Sequence, residues 1–199
     1  KYNTSGQLVN YTEFETDDAI NEFAVSLFYN DDGQVSSMFH HADYIYGGSS
    51  TQQWSIHYYH AYLSDGNLNY YSVDTDTTRG EVDYSYDTYG RLTSKIYDYY
   101  VSANTGNRYT NTVSYTFSKY GSTRTSAQVA TFTSKVNDYT AVTSTYTYDG
   151  NGNITKIALS TGAENRYVYD DLGQLIREDN TTQSRTYMYE YDDAGNILY

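Results

Sequence analysis

The chain has 199 residues, among them 28 Tyr and neither Cys nor Pro, and its formal net charge is −13 at pH 7. This negative charge opposes binding to phosphate backbones and anionic lipid surfaces, so we expect no nucleic-acid partner. The lack of Cys excludes disulfides and thiolate metal sites, and no apolar run approaches the roughly 20 residues of a membrane span. The remaining residues are rich in Thr, Ser, Asn, Asp and Gly, which favour strands and turns, so we expect an all-β protein.

A short motif recurs eight times along the chain. Each copy has a glycine with an aromatic residue four positions before it and, in seven of the eight copies, an apolar residue two positions after it. The aromatic and glycine pairs are Tyr2–Gly6, Tyr29–Gly33, Tyr62–Gly66, Tyr86–Gly90, Phe117–Gly121, Tyr148–Gly152, Tyr169–Gly173 and Tyr191–Gly195. The one copy without an apolar residue has Thr123 at that position. We therefore predict tandem repeats of one structural unit.

The residues between the aromatic residue and the glycine predict the turn of a β-hairpin. In four copies the aromatic residue is followed by Asp, at Asp87, Asp149, Asp170 and Asp192. Asp at the first position and Gly at the fourth are typical of a type I turn, and a left-handed Gly then closes the hairpin through a bulge. In this register the aromatic residue lies opposite the apolar residue after the glycine, which places an aromatic–aliphatic pair on one face.

Near the N terminus one segment is ambiguous between helix and strand. Its apolar residues have helical spacing behind a candidate cap at Thr16, and they are Ile20, Phe23, Ala24 and Leu27. The repeat alignment instead places Val25, Leu27 and Tyr29 on one face of a strand. We predict a strand from Phe23 onward, preceded by a turn or a short helix.

Further along the chain, turn-rich segments reverse it at the opposite end of the hairpins, at residues 104–107, 136–139, 160–163 and 179–182. We therefore predict an antiparallel meander of about fifteen strands, built as a single array of about eight hairpin repeats over residues 1–199. The repeats are degenerate over residues 1–145 and regular over residues 146–199. Because open twisted sheets beyond about ten strands usually curl, we expect a curved or spiralling ribbon. Residues 191–199 begin another repeat, so we expect a fragment of a longer chain.

The regular repeats carry a family resemblance. Residues 146–199 repeat Tyr-x-Tyr-Asp-x-x-Gly-Asn/Gln-Leu/Ile with glycine spacings of 21 and 22 residues. This run resembles the YD repeats of Rhs proteins, of the C component of insecticidal toxin complexes and of teneurins. The resemblance implies a ribbon of β-hairpins that winds into a hollow shell, which encloses a C-terminal effector in the toxin members and forms part of an adhesion ectodomain in teneurins.

The same resemblance implies that the partners are other domains of the same longer chain and that the protein is secreted or displayed on a cell surface. The absence of Cys favours a bacterial over a eukaryotic source for such a protein. The chain lacks the proline-containing core region with which toxin members of the family plug and cleave the shell, since it has no Pro. Neither autoproteolysis nor a toxin domain is therefore assigned to these residues.

Residues with catalytic or metal-binding chemistry are few. The sequence has no P-loop, nucleophile elbow, zinc-protease helix or Cys, so we predict neither an enzyme nor a cofactor site. His40, His41, His57 and His60 fall within 21 residues and would suit a metal, but His57 and His60 point to opposite faces of a strand. We interpret them as surface or groove histidines.

One segment imitates the start of a calcium-binding loop. Asp149, Asn151 and Asn153 match its first three ligands, but Ile154 and Ser160 stand where the loop requires Gly and a bidentate acid. We interpret the segment as a hairpin turn. Weak calcium binding to clustered acids elsewhere stays open as an alternative, and these acids are Asp17, Asp18, Asp31 and Asp32.

Three functional hypotheses follow. The first is a non-catalytic structural scaffold, the wall of a shell or stalk. The second is an adhesion module that binds carbohydrate or a cell-surface protein through exposed Tyr faces. Its candidate contacts are Trp54, Tyr58 and Tyr59, because the region between Gly33 and Gly66 has the longest repeat spacing. The third is edge-to-edge assembly through the exposed first and last strands.

Overall fold

The computed structural model describes residues 1–17, 19–46, 49–75, 77–101, 108–120 and 124–198. Of residues 14–22, 43–54, 101 and 120 it describes at most the backbone. Fourteen strands lie in these ranges: β1 (Asn10–Asp17), β2 (Ala19–Tyr29), β3 (Val35–Tyr46), β4 (Ser49–Tyr62), β5 (Leu68–Thr75), β6 (Thr78–Tyr86), β7 (Leu92–Val101), β8 (Arg108–Tyr120), β9 (Arg124–Val136), β10 (Val142–Tyr148), β11 (Ile154–Leu159), β12 (Glu164–Tyr169), β13 (Leu175–Asn180) and β14 (Arg185–Met188).

Hydrogen-bonded neighbours follow chain order from β1 to β14, and the antiparallel strands form a single open sheet. No helix occurs in the ranges just given, so none of their residues forms a helix that could cross a membrane. This confirms the predicted all-β hairpin meander, with fourteen strands in the described ranges where about fifteen were expected. The curved or spiralling course of the ribbon stays a prediction.

The chain divides into two compact units. The first unit comprises residues 1–90 and 95–111 and contains β1 to β6. The second unit comprises residues 91–94 and 112–199 and contains β9 to β14. That residues 1–199 behave as one domain stays a prediction.

The first hairpin differs from the sequence expectation. The strand from Phe23 onward is confirmed, but the turn or short helix expected before it is wrong, because β2 already begins at Ala19. Thr16 lies in β1 and pairs with Ile20 rather than capping a helix. Every residue of β1 pairs with one of β2. Hydrogen bonding between the two strands therefore determines the conformation of this segment, although its apolar residues have helical spacing.

The repeat motifs form the hairpin tips. Seven of their glycines have φ between +74° and +92°, and these are Gly6, Gly33, Gly66, Gly90, Gly152, Gly173 and Gly195. In one tip Gly152 N donates to Asp149 O at 3.2 Å and Asp149 N donates to Asn153 O at 3.0 Å. This is a type I turn closed by a left-handed glycine. Gly121 lies outside the described residues.

Beyond four of the tips the paired strands contain a second irregularity, which has no sequence signal. Tyr148 pairs with Ile154, but its neighbour Thr147 pairs with Lys156, so Thr155 has no opposite residue. The same bulge leaves three other residues unpaired in register, namely Ser36, Asn69 and Ile176. A bulge changes which residues share a face, and here it brings Ile157 opposite Tyr146.

The described side chains of the sheet form little buried core. Among residues with described side chains, Ala42 is the one buried hydrophobic residue, at 7% exposure. In the second unit, alternation and register place half-buried aromatic and aliphatic residues on one face, which are Tyr146, Tyr148, Ile157, Tyr167 and Tyr169. Thr145, Thr147 and Arg166 project from the opposite face. Stabilisation therefore depends on contacts between neighbouring strands.

Candidate functional site

The first candidate site is the set of contacts between successive repeats. In six repeats the hydroxyl of the motif tyrosine donates to a backbone carbonyl of the preceding hairpin at 2.7 to 3.0 Å. The pairs are Tyr29 to Leu8, Tyr62 to Val35, Tyr86 to Leu68, Tyr148 to Val129, Tyr169 to Ile154 and Tyr191 to Leu175. Burial raises the pKa of Tyr148 and Tyr169 above the usual value, so these hydroxyls remain protonated donors.

A second contact joins the tips themselves. Gln7 Nε2 donates to Gly33 O at 3.0 Å, and Gln34 Nε2 donates to Gly66 O at 3.2 Å. A Cβ at Gly33 would lie 3.2 Å from the Gln7 amide nitrogen, closer than ordinary van der Waals contact. Glycine at this position therefore supplies both the positive φ and the close approach of the neighbouring repeat.

The repeat with Phe in place of Tyr uses a different contact. Phe117 has no hydroxyl, and the Arg91 guanidinium lies 4.0 Å from its ring centroid. Arg91 also donates to Thr125 Oγ1 at 2.9 Å and to the carbonyl of Ser126. Arg91 stands where six of the other seven repeats have Gln or Asn, so one side chain replaces both the amide and the tyrosine contact.

The structure also changes the alignment of this repeat. The Tyr148 hydroxyl binds the carbonyl of Val129, six residues beyond the aligned Thr123. Gln128 Nε2 lies 3.4 Å from where a Cβ of Gly152 would be, as the tip amides do in other repeats. Val129 is therefore the apolar residue of this repeat, and the exception at Thr123, itself outside the described residues, disappears.

The second candidate site is a groove on the first unit, which we call the aromatic groove. Register across β2, β3 and β4 builds two rows, one of Ser26, Phe39 and His57 and the other of Phe28, Ser37 and Tyr59. Small serines thus alternate with rings on one face and leave a space of about 360 Å³. The lining residues are Ser26, Phe28, Ser37, Met38, Phe39, His57, Tyr58 and Tyr59.

The rings of the aromatic groove hold one another in place while remaining accessible. Phe39 and His57 meet edge to face, with ring centroids 4.4 Å apart and an interplanar angle of 85°. His57 Nδ1 is 3.0 Å from the Tyr59 hydroxyl. Phe28 is 56% exposed and Tyr59 is 43% exposed. The groove therefore offers aromatic faces to a ligand without rearrangement of its walls.

The candidate binding residues from the sequence are separated. Tyr58 and Tyr59 both contribute to the lining of the aromatic groove, but as neighbours in β4 their side chains point to opposite faces, and the ring of Tyr58 lies 5.3 Å from His40. The side chain of Trp54 lies outside the described residues. Sequence reasoning missed Phe28 and Phe39 as groove residues. Their placement depends on the bulge at Ser36, which no residue type announces.

The four histidines do not form one cluster. His40 contacts Phe23 and Tyr58, at centroid distances of 5.7 and 5.3 Å, whereas His57 lies in the aromatic groove. The ring of His60 is 5.0 Å from Tyr71, and burial lowers the pKa of His60. Within the described ranges, no group of three His, Asp or Glu side chains lies close enough to hold a metal ion.

The turn aspartates use their carboxylates within the turn. Asp149 Oδ1 accepts from Asn151 N and Asn153 N, both at 2.9 Å. The backbone hydrogen bond from Asn153 is the main reason that the pKa of Asp149 is below its ordinary value. In a degenerate repeat Asn3 Oδ1 accepts from Ser5 N at 3.0 Å in the same way. Regular and degenerate repeats thus share one turn geometry.

A charged network occupies β5 to β7 in the first unit. Arg79 Nε lies 3.1 Å from Glu81 and 3.3 Å from Asp74, and Arg79 donates to the Tyr70 hydroxyl at 2.8 Å. Burial alone would raise the pKa of Glu81, but hydrogen bonds from Tyr100 and Tyr70 outweigh it and lower the value. Burial, with the hydrogen bond to Glu81, raises the pKa of Tyr100 to about 12. These groups bind one another across neighbouring strands.

No protein-family model and no curated protein matches the sequence. One similar solved structure is TcdB2–TccC3 without its hypervariable C-terminal region, with 13% identity and a TM-score of 0.45, covering 98% of this chain and 14% of that chain. Another is the Photorhabdus luminescens Tc holotoxin pore, with 12% identity and a TM-score of 0.35, covering 99% of this chain and 14% of that chain. A porin-like protein from Bacteroides uniformis has 12% identity and a TM-score of 0.33, covering 95% of this chain and 91% of that chain.

The chain spans 14% of the toxin chain in both toxin comparisons. Because each TM-score is below 0.5, the similarities decide neither the fold nor the function of this chain.

Proposed function

We propose that the chain is a non-catalytic structural scaffold, a segment of the β-hairpin wall of a longer YD-repeat protein that encloses a toxin or presents a domain at the cell surface. The observation that carries this proposal is the repeated hydrogen bond from a motif tyrosine to the preceding hairpin, present six times. The motif tyrosine of each of these six repeats thus binds the preceding hairpin.

Two further observations support a structural role. The turn aspartates are the most frequent acidic residues of the motif, and their carboxylates accept hydrogen bonds from backbone amides of the turn. Asp170, for example, accepts from Leu172 N and Gln174 N. The buried carboxylate of Asp98 is bound by Arg108 at 2.6 Å and by the Thr110 hydroxyl. These carboxylates stabilise the fold, which leaves them poorly suited to acid–base catalysis.

The resemblance of residues 146–199 to YD repeats supports a place in a longer chain. The partners of the wall are then other domains of that chain, and the protein is secreted by a bacterium or displayed on its surface. No cofactor is part of this proposal.

Protease protection tests the encapsulating form of the proposal. In a longer native chain that carries these residues, we expect a protease to leave the segment downstream of residue 199 intact until urea opens the wall. Cleavage of that segment at the same rate with and without urea would contradict enclosure and leave surface presentation as the scaffold function.

Adhesion remains a second proposal because tyrosines of the first unit are exposed. Tyr97, Tyr99 and Tyr109 are 37%, 46% and 54% exposed, as stacking platforms for carbohydrate or a cell-surface protein would be. A glycan array would give a signal that a Tyr97→Ala/Tyr99→Ala variant loses. An array without signal for the wild-type chain would remove carbohydrate adhesion.

A further inference from the structure

We propose that the aromatic groove binds an organic cation, specifically a quaternary ammonium group of the choline type. The groove belongs to the first unit alone, and the proposal holds whether or not the chain is a shell wall. Three features of the groove favour such a ligand, namely the spacing of the rings, the engagement of polar groups and the charge of the surrounding chain.

The walls of the groove are spaced for a small cation. Phe28 on β2 and Tyr59 on β4 both lie opposite Ser37 of the intervening strand β3. Two strand spacings separate the walls by about 10 Å, so an ammonium group midway lies about 5 Å from each ring. This is within the roughly 6 Å over which a cation is attracted to an aromatic face. Phe39 and His57 lie opposite each other in the neighbouring row and bound the groove on that side.

Polar groups of three lining residues, Ser26, His57 and Tyr59, are already engaged. The Ser26 hydroxyl oxygen accepts a hydrogen bond from Asn10 Nδ2 at 3.3 Å. His57 Nδ1 and the Tyr59 hydroxyl, 3.0 Å apart, bind each other. A sugar needs several hydrogen-bonding partners, whereas a quaternary ammonium group makes no conventional hydrogen bond and requires only aromatic faces and negative potential. The lining therefore favours the cation.

The charge of the surrounding chain favours the same ligand. The sequence has no Lys or Arg between Tyr2 and Thr78, whereas it has eleven Asp and Glu in that stretch. The residues that line the groove include no Lys, Arg, Asp or Glu. A cation therefore approaches through a field of negative sign and meets no charged side chain that must be displaced.

Calorimetric titration of the whole chain with choline, and separately with 3,3-dimethylbutan-1-ol, tests the proposal. The alcohol has the same shape without the charge, so it reports apolar burial alone. We expect choline to bind roughly tenfold more tightly, as two cation–π contacts would give. Equal affinity for choline and the alcohol would show that the groove binds through apolar contact alone and would overturn the proposal. No binding of choline at low salt would overturn it as well.

Three variants locate the binding. Phe28→Leu keeps an apolar side chain but removes one aromatic face, so choline should bind roughly two- to fivefold more weakly. Ser37→Val fills the space between the walls and should abolish binding, and Val is well suited to a strand. The control is Tyr11→Leu, because Tyr11 is 47% exposed, close to the 56% of Phe28, and does not line the groove. Unchanged affinity in Ser37→Val would overturn the proposal even if Phe28→Leu failed to fold.

Discussion

Removal of one motif hydroxyl tests the contact between repeats. The Tyr148 hydroxyl donates to Val129 O at 2.7 Å, and both groups are partly buried. In Tyr148→Phe the ring remains, but the hydrogen bond is lost and the carbonyl loses its partner. A buried neutral hydrogen bond contributes about 1 kcal/mol net, so the free energy of unfolding should fall by about 1 kcal/mol. This corresponds to roughly a fivefold change in the unfolding equilibrium.

Urea titration followed by circular dichroism measures this loss. The matched control is Tyr146→Phe on the same strand and face, since the Tyr146 hydroxyl has no hydrogen-bond partner among the residues with described side chains. We expect the control to change the free energy of unfolding by less than about 0.5 kcal/mol. Equal losses in the two variants would refute the assignment of the hydroxyl as a contact between repeats.

Three further predictions concern the tips. Arg91→Gln removes the contact over Phe117 and should lower the free energy of unfolding by about 1 kcal/mol. Adding Phe117→Tyr should recover part of that loss, and additive losses in a double-mutant cycle of urea titrations would contradict this. Gly33→Ala should lower the free energy of unfolding by about 1–3 kcal/mol because φ is +80°. Gly150→Ala, with open space around its Cβ, should change it little, and equal shifts of the thermal unfolding midpoint in the two variants would contradict the turn geometry. The pKa of Asp149 is lowered in the fold, so its stabilisation is complete above its unfolded value of about 3.9 and is lost as pH falls through the folded value. Asp149→Asn keeps a turn acceptor, so its urea midpoint should fall less between pH 4 and pH 2 than that of the wild type, and identical pH profiles would contradict this account.

The hairpin tips could be predicted from the sequence because their chemistry is local. A glycine with φ of +80° at Gly33 and an acceptor side chain such as Asp149 are needed within one turn, and both are visible in the sequence. The pairing of Tyr148 with Ile154 then follows from the length of the turn.

Features set by neighbouring strands could not be predicted. The bulge at Thr155, within one hairpin, has no signal in the residue types around it, and the shift from Thr123 to Val129 depends on how one hairpin lies against the next. The helical spacing around Ile20 was misleading, because spacing records only the segment itself and pairing with Thr16 decides its conformation. The aromatic groove was missed for the same reason, since Phe28 and Tyr59 come together only through register across three strands.

The most direct test of the central claim, that these repeats form the wall of a larger particle, is small-angle X-ray scattering of a longer native chain that carries them. If the repeats form such a wall, the distance distribution should be that of a hollow particle, with the wall surrounding an internal volume. An extended rod without internal volume would contradict an enclosing wall.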